Sequence, residues 1–126
     1  MTDKLIFFVD DEPMFINLLE YTFNCRKGCS VKTFQSGEAC IEHLNLNPDL
    51  VVIDFFLDSD KMTGMEVAKT IREMNPAITL AFLTGNDDYA VIEEAKSIGI
   101  DKYVLKDGYF IDNLIEYISN LFPSTL

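Results

Sequence analysis

Five short apolar segments alternate with five amphipathic segments along the chain, and this alternation is the feature that most restricts its fold. The apolar segments have the length of β-strands and cover residues 5–9, 30–34, 50–53, 79–83 and 101–105. Three of them, LIFFV, LVVI and TLAFL, are continuously apolar, which is typical of strands that are covered on both faces. The sequence therefore predicts an α/β fold with helices on both faces of a five-stranded parallel sheet.

The amphipathic segments carry signals for five helices. Pro13 suits the first turn of the first helix, where its missing N–H costs nothing. Residues that favour helix starts precede the next three segments: Ser36, the capping-box pair Thr63 and Glu66, and Asp87 or Asp88. Gly99 is predicted to end the fourth helix in a left-handed conformation. The predicted buried faces are Phe15, Leu18, Leu19 and Phe23 in the first helix and Leu114, Ile115, Ile118 and Leu121 in the last, which covers about residues 112–121.

Five such units in 126 residues suit one doubly wound domain over residues 1–126, with the flavodoxin-like strand order 2-1-3-4-5. No effector domain is expected within this chain. In this order the chain reverses direction between strands 1 and 3. Ligands are expected outside the carboxyl ends of those strands.

Side chains suited to phosphoryl chemistry follow the carboxyl ends of four strands: Asp10 and Asp11, Asp54, Thr84, and Lys106. Strands 1, 3, 4 and 5 are consecutive neighbours in the predicted order, so these groups should converge. Carboxylates repel one another in a partly dry cleft, and Mg²⁺, which prefers oxygen ligands, relieves that repulsion. A carboxylate nucleophile, a hydroxyl donor and an ammonium group together suit phosphoryl transfer through an aspartyl phosphate.

Each of these residues also has an ordinary structural interpretation. Asp11 is able to cap the first helix, Asp54 to end a strand, and Thr84 to close a loop. A lysine such as Lys106 is usually a solvated surface residue. The argument for a site therefore depends on all of them following the correct strands.

The chain resembles the receiver domains of bacterial two-component systems over essentially its whole length. The matching stretches are IFFVDDEP (6–13), LVVIDF (50–55), Gly64-x-Glu66, LAFLTG (80–85) and DKYVLKD (101–107). This resemblance implies a signalling switch, not a conventional enzyme, that accepts a phosphoryl group from a sensor histidine kinase or a histidine phosphotransfer protein and promotes its own dephosphorylation.

The resemblance also assigns roles to individual residues. Asp54 is implied to be the phosphoacceptor, and the Mg²⁺ ligands are implied to be Asp10, Asp11, Asp54 and the backbone carbonyl of Phe56. Thr84 and Lys106 are implied to contact the phosphoryl group. Thr84 and Tyr103 are implied to move on phosphorylation and to remodel the surface of helix 4, strand 5 and helix 5. That surface, expected to bind a downstream protein or a second copy, includes Ala90, Glu94, Tyr103 and Ile111.

The sequence departs from the family pattern near the phosphoacceptor. Gly64 follows Asp54 by ten positions instead of eight and the segment between them lacks proline, which indicates two extra residues in a surface loop. Asp107 stands where many members have proline, so a cis peptide bond is not expected there. Phe56 is bulky and apolar, and we hypothesise that it hinders the water that hydrolyses the acyl phosphate.

Three other functions fit less well. A module with this fold that works without phosphorylation has no need of the acid, threonine and lysine set. A phosphatase of the haloacid-dehalogenase type has a second aspartate two residues after its nucleophilic aspartate; here the residue two positions after Asp10 is Glu12 instead, and no cap domain is expected. A flavin site needs a phosphate loop after strand 1, whereas the sequence DDEP repels phosphate unless a metal intervenes.

Composition restricts the partners and the compartment. The net charge of −11, with no basic cluster, argues against direct binding of nucleic acid. Cys25, Cys29 and Cys40 are an odd number in a chain without an export signal or membrane span, so a cytoplasmic protein without disulfides is expected. Cys25 and Cys29 with His43, the only histidine, lack the fourth ligand of a closed zinc site.

Overall fold

The computed structural model describes residues 3–24, 26, 28–57, 62–85 and 89–123, excluding the side chains of residues 89–91. Five strands form one parallel sheet: β1 (Lys4–Val9), β2 (Cys29–Phe34), β3 (Leu50–Asp54), β4 (Thr79–Thr84) and β5 (Lys102–Leu105). Their order is β2-β1-β3-β4-β5, so the predicted fold class and strand order are confirmed. The strand bounds differ from the predicted ones by a single residue at one end.

In the described part of the chain, four α-helices and one short 3₁₀ turn connect the strands, and a fifth helix follows β5. The helices are α1 (Pro13–Asn24), α2 (Gly37–Glu42), α3 (Gly64–Met74), α4 (Tyr89–Ser97) and α5 (Phe110–Leu121), and the 3₁₀ turn covers Leu44–Leu46. Pro13 is the first residue of α1, and α5 begins two residues before its predicted start. Among the described residues, no helix is long and apolar enough to cross a bilayer.

The alternation of side chains along β1 divides the core into two layers. Ile6 and Phe8 pack with the apolar faces of α1 and α5. Phe7 and Val9 point the other way and pack with apolar side chains of α2 and α3. Neighbouring strand residues face opposite sides of a sheet, so a continuously apolar strand supplies both layers.

The predicted buried face of α1 is partly wrong. Ile16 is 5% exposed, whereas Leu18, which was assigned to the buried face, is 40% exposed. Leu19 and Phe23 are fully buried as predicted, and Phe15 packs partly buried against the same cluster. The helical repeat of 3.6 residues places Ile16 with Leu19 and Phe23 and turns Leu18 toward solvent.

The helix signals at Ser36, Thr63 and Gly99 are confirmed. Ser36 caps α2, and Thr63 and Glu66 form a capping box at α3. Gly99 has φ of 81°, a left-handed conformation that glycine adopts without strain. The N–H groups of Gly99 and Ile100 donate to the carbonyls of Lys96 and Ala95, which closes α4 with the two bonds of a Schellman motif. Asp87 and Asp88 lie outside the described residues.

Candidate functional site

The carboxyl ends of four parallel strands bring the predicted side chains to one edge of the sheet. Val9 is level with Ile53 and Thr84 with Leu105, so Asp10 and Lys106 follow directly after aligned strand ends. Asp10, Asp54 and Thr84 are 0%, 4% and 5% exposed, although polar residues are usually at the surface. The structure therefore places buried polar groups where the chain reverses direction between β1 and β3.

Four carboxylates form an acidic cluster at this edge: Asp10, Asp11, Glu12 and Asp54. One carboxylate oxygen from each lies within 4.8 Å of the others. The Lys106 ammonium enters this cluster, with Nζ 2.8 Å from Asp10 Oδ2 and 3.2 Å from Asp54 Oδ2. Glu12 Oε1 is 3.5 Å from the same nitrogen. Among the described residues, the Lys106 ammonium thus faces a cluster of four acids, and the carboxylates remain in excess.

Local backbone hydrogen bonds orient the two buried aspartates. The N–H of Glu12 donates to Asp10 Oδ1 over 2.9 Å, and the N–H of Phe56 donates to Asp54 Oδ1 over 3.1 Å. Each aspartate therefore bonds to the backbone two residues ahead, as in an Asx turn. This bond occupies Oδ1 of each aspartate, and Oδ2 of each faces the Lys106 ammonium.

Burial makes the charged forms of the two aspartates costly. Burial raises the pKa of Asp10, and the hydrogen bond and charge of Lys106 oppose that rise only in part. Burial likewise raises the pKa of Asp54; the charge of Lys106 opposes the rise, and the nearby Asp10 adds to it. Burial alone lowers the pKa of Lys106, but its contacts with Asp10 and Asp54 raise it above its ordinary value. The lysine therefore stays charged and compensates the acids incompletely.

The donor set fits a hard divalent cation. Asp10 Oδ2 is buried, and apart from its ion pair with Lys106 it has no hydrogen-bond partner within the described part of the chain. The potential ligands are all carboxylate oxygens, which Mg²⁺ and Ca²⁺ prefer, and neither cysteine nor histidine belongs to the group. A cation at this point would give the buried Asp10 Oδ2 a further partner and would relieve the excess of negative charge.

Gly64 brings the start of α3 against the phosphoacceptor candidate. A Cβ atom at Gly64 would lie 2.5 Å from the carbonyl oxygen of Asp54 and 2.8 Å from the Cα of Phe55. Only glycine permits this approach without moving the backbone. The ten-residue spacing after Asp54 therefore still returns the chain to the end of β3. The loop that carries the two extra residues includes residues 58–61, which lie outside the described residues.

The family-model comparison supplies the identity of the domain. Residues 6–119 match the family described as response regulator receiver domain. The chain belongs to this family. As a receiver domain, it belongs with the response regulators of two-component systems.

Curated relatives of this receiver are longer response regulators. It is 32% identical over 105 residues to the alkaline phosphatase synthesis transcriptional regulatory protein PhoP of Bacillus subtilis, covering 82% of this chain and 42% of that protein. It is 31% identical over 107 residues to the response regulator protein VraR of Staphylococcus aureus, covering 84% of this chain and 50% of that protein. The receiver thus spans about half the length, or less, of these relatives.

Solved structures show the same fold at low identity. The chemotaxis protein CheY4 of Vibrio cholerae superimposes with a TM-score of 0.85 at 18% identity, over 96% of this chain and all of that one. The response regulator DrrB of Thermotoga maritima gives 0.84 at 23% identity, over 98% of this chain and 54% of that one.

Tyr103 lies on β5 of the receiver and contacts α4. Its side chain is partly buried, and its hydroxyl donates to the backbone carbonyl of Ile92 over 3.4 Å. Glu94 on α4 forms an exposed ion pair of 3.5 Å with Lys69 of α3, and Ile111 on α5 is half-buried. The side chain of Ala90 lies outside the described residues. The predicted partner surface therefore includes the Tyr103 contact between β5 and α4.

Sequence reasoning missed two contacts of Lys106, with Glu12 and with Phe15. Glu12 was noted for its spacing from Asp10 but not as a site residue, although it directly follows the two aspartates. Phe15 was assigned to the buried face of α1, yet its ring centroid is 4.0 Å from Lys106 Nζ. Glu12 was detectable from its position in the motif. The contact of Phe15 with a residue 91 positions later had no local signal.

The remaining sequence predictions have mixed outcomes. The described peptide bonds are all trans, including the one before Asp107. Cys29 and Cys40 are buried, and Cys25 lies outside the described residues. His43 Nδ1 lies 2.8 Å from the carbonyl oxygen of Ala39. A structural role for His43 agrees with this contact.

Proposed function

We propose that this receiver is a phosphorylation switch in which Asp54 accepts a phosphoryl group from a phosphohistidine. The donor is a sensor histidine kinase or a histidine phosphotransfer protein. An oxygen of Asp54 attacks the phosphorus, and the bond from phosphorus to the histidine nitrogen breaks with its electron pair remaining on nitrogen. The supporting observation is the buried Asp54 carboxylate, 3.2 Å from the Lys106 ammonium within an all-carboxylate cluster.

Asp10, Asp11, Asp54 and the backbone carbonyl of Phe56 are the proposed ligands of Mg²⁺. Bound there, the ion neutralises charge on the acids and on the phosphoryl oxygens. The Asx-type bond from Phe56 N–H to Asp54 Oδ1 orients the acceptor carboxylate before the donor arrives. Orientation before reaction lowers the barrier because little rearrangement remains.

Lys106 and Thr84 are the proposed contacts of the phosphoryl oxygens. The Lys106 ammonium already reaches Asp54 Oδ2 and needs only a short displacement to pair with a group attached there. Thr84 is buried at the carboxyl end of β4, and its backbone carbonyl accepts a hydrogen bond from the Lys106 N–H over 2.8 Å. The two residues are thus linked through the backbone.

The proposed output is a population shift at the surface of α4, β5 and α5. Movement of Thr84 toward the phosphoryl group favours a conformer in which Tyr103 leaves its contact with the Ile92 carbonyl. This change presents a different surface to a downstream protein, an effector domain or a second copy. Direct nucleic-acid binding by this domain is not proposed because its net charge is −11.

The decisive test is intact mass spectrometry after incubation with acetyl phosphate and Mg²⁺. We expect one added phosphoryl group on the wild type, none on Asp54→Ala and none in the presence of EDTA. Asp112→Ala, which removes an exposed aspartate from the first turn of α5, should be phosphorylated like the wild type. If the wild type neither gains mass nor binds fluoroberyllate with Mg²⁺, the domain is a module that works without phosphorylation.

A further inference from the structure

An aromatic ring lies against the Lys106 ammonium. The Nζ atom is 4.0 Å from the centroid of the Phe15 ring, well inside the range of cation–π attraction. The lysine side chain is 9% exposed, so the ammonium is largely withdrawn from water. Within the described ranges, its recorded contacts are carboxylate oxygens and one π-face. Withdrawal from water strengthens the attraction between a cation and an aromatic ring.

Phe15 is held in place from two directions. It is the third residue of α1, and its N–H donates to the carbonyl of Glu12 over 3.1 Å, which ties the ring to the segment carrying the acids. Its ring also meets the ring of Phe110 edge to face, with centroids 5.3 Å apart and planes at 67°. Phe110 is 6% exposed and begins α5. The ring facing Lys106 thus has a buried aromatic support.

We propose that Phe15 is a positioning residue for phosphoryl transfer, whose ring holds the Lys106 ammonium at the acidic cluster while its N–H donors exchange one oxygen for another. This inference rests on the proposed function of Asp54. A lysine ammonium is strongly hydrated and is carried by a flexible side chain, so without further contacts it occupies many positions. Contact with the Phe15 ring reduces the number of positions that the Lys106 ammonium occupies.

A π-face suits this task better than another carboxylate. The ring attracts the positive charge of the ammonium and accepts no conventional hydrogen bond, so the N–H donors that face the carboxylates stay available for oxygens. Lys106 is therefore able to replace Asp10 Oδ2 with a phosphoryl oxygen while it remains over the ring. A further carboxylate would compete with the phosphoryl group for the same donors and repel its negative charge.

The test compares Phe15→Leu with Phe15→Tyr and with Phe23→Leu. Leucine keeps an apolar side chain but removes the ring, and tyrosine restores the ring. Phe23→Leu makes the same change in the same helix at a fully buried position, where the ring packs on Phe8 at 5.3 Å. This control separates loss of core packing from loss of the lysine contact. Circular dichroism establishes that each variant is folded.

Two measurements are made on each variant. Proton NMR of the metal-free, unphosphorylated protein follows the Lys106 ε-methylene signal, assigned by its loss in Lys106→Met. We expect an upfield ring-current shift in the wild type, Phe15→Tyr and Phe23→Leu, and its loss in Phe15→Leu. The initial rate of phosphorylation at saturating acetyl phosphate and Mg²⁺ should fall about three- to tenfold in Phe15→Leu. The same rate should stay near that of the wild type in Phe15→Tyr and Phe23→Leu.

The outcomes separate the two proposals. A wild type that neither takes a phosphoryl group nor binds fluoroberyllate with Mg²⁺ overturns the proposed function and this inference with it. A wild type that is phosphorylated no faster than Phe15→Leu overturns the positioning role alone, as does the absence of an upfield shift in the wild type. If Phe15→Leu does not fold, Phe15→Met, with a flexible apolar side chain, replaces it in the same comparison.

Discussion

At the scale of single residues, the site combines local and distant constraints on the same carboxylates. Asp10 and Asp54 each bond through Oδ1 to the backbone two residues ahead and through Oδ2 to Lys106. The first contact depends on adjacent residues, whereas the second spans 52 positions in the case of Asp54. Each aspartate therefore has one oxygen fixed locally and one that changes partners during the proposed reaction.

Phe56 is expected to determine how long a phosphoryl group remains on Asp54. Phe56 is 54% exposed, and its ring packs edge-on against the ring of Phe55, with the ring centroids 4.8 Å apart. In Phe56→Asn, a polar side chain able to hydrogen-bond water replaces the ring, so hydrolysis should accelerate about two- to tenfold, or about 0.4–1.4 kcal/mol in the barrier. Loss of the phosphoryl mass with time, after removal of the phosphodonor, measures this rate.

The matched variant for this prediction is Phe56→Leu, which keeps an apolar side chain at the same exposed position. Its phosphoryl lifetime should stay close to that of the wild type. Equal decay rates for the wild type and Phe56→Asn would show that the ring does not obstruct water.

At the scale of elements, one arginine of α3 ties the carboxyl end of α4 to the segment just before β4. Arg72, in the last turn of α3, donates to the carbonyls of Ile98 and Gly99 over 3.2 and 2.6 Å. It also donates to the carbonyl of Ile78, just before β4, over 2.6 Å. Together with the Schellman motif, these bonds fix the carboxyl end of α4. The amino end of α4 follows β4, whose carboxyl end carries the site.

Arg72→Met should destabilise the fold by about 2–3 kcal/mol because several carbonyls lose a charged donor at once. The free energy of unfolding in urea measures this loss. Lys69→Met on the same helix removes the exposed ion pair with Glu94, whose side chain is 55% exposed, and should cost less than about 1 kcal/mol. Similar losses for the two variants would show that Arg72 does not join these elements.

At the scale of the whole molecule, the three-layer fold buries charges that oppose its stability. The two apolar layers leave Asp10 and Asp54 at the sheet edge with 0% and 4% exposure. Burial raises the pKa of Asp54 above 3.8, so its folded form holds a proton more tightly than its unfolded form does. This group therefore destabilises the folded state increasingly as pH rises from that ordinary value through the raised one.

In EDTA at pH 7, Asp54→Asn should be more stable than the wild type by about 1 kcal/mol, since it removes one buried, poorly compensated charge. The difference should shrink as the pH is lowered toward 3.8, the ordinary carboxyl pKa, because the raised pKa of Asp54 makes the folded wild type take up its proton above that pH. Mg²⁺ should stabilise the wild type more than the variant, because a ligand stabilises the state that binds it. Urea unfolding at several pH values, with and without Mg²⁺, measures these differences. A variant that is less stable than the wild type in EDTA contradicts the prediction.

The fold and the meeting of Asp10, Asp54 and Lys106 at one edge were predictable from sequence. Continuously apolar strands indicate a parallel sheet, and the carboxyl ends of neighbouring parallel strands lie side by side. The signals at Ser36, Thr63 and Gly99 were also readable, since each depends on residues within one helical turn.

Only the tertiary structure decided which apolar residues of α1 are buried and what surrounds Lys106. Helical spacing shows that α1 is amphipathic, but the neighbouring layer determines that Ile16 is buried and Leu18 is exposed. The contacts of Phe15 with Lys106 and of Arg72 with Gly99 join residues 91 and 27 positions apart. Sequence pattern records interactions between residues close in the chain. Contacts between elements depend on how whole faces pack, and packing exists only in the folded molecule.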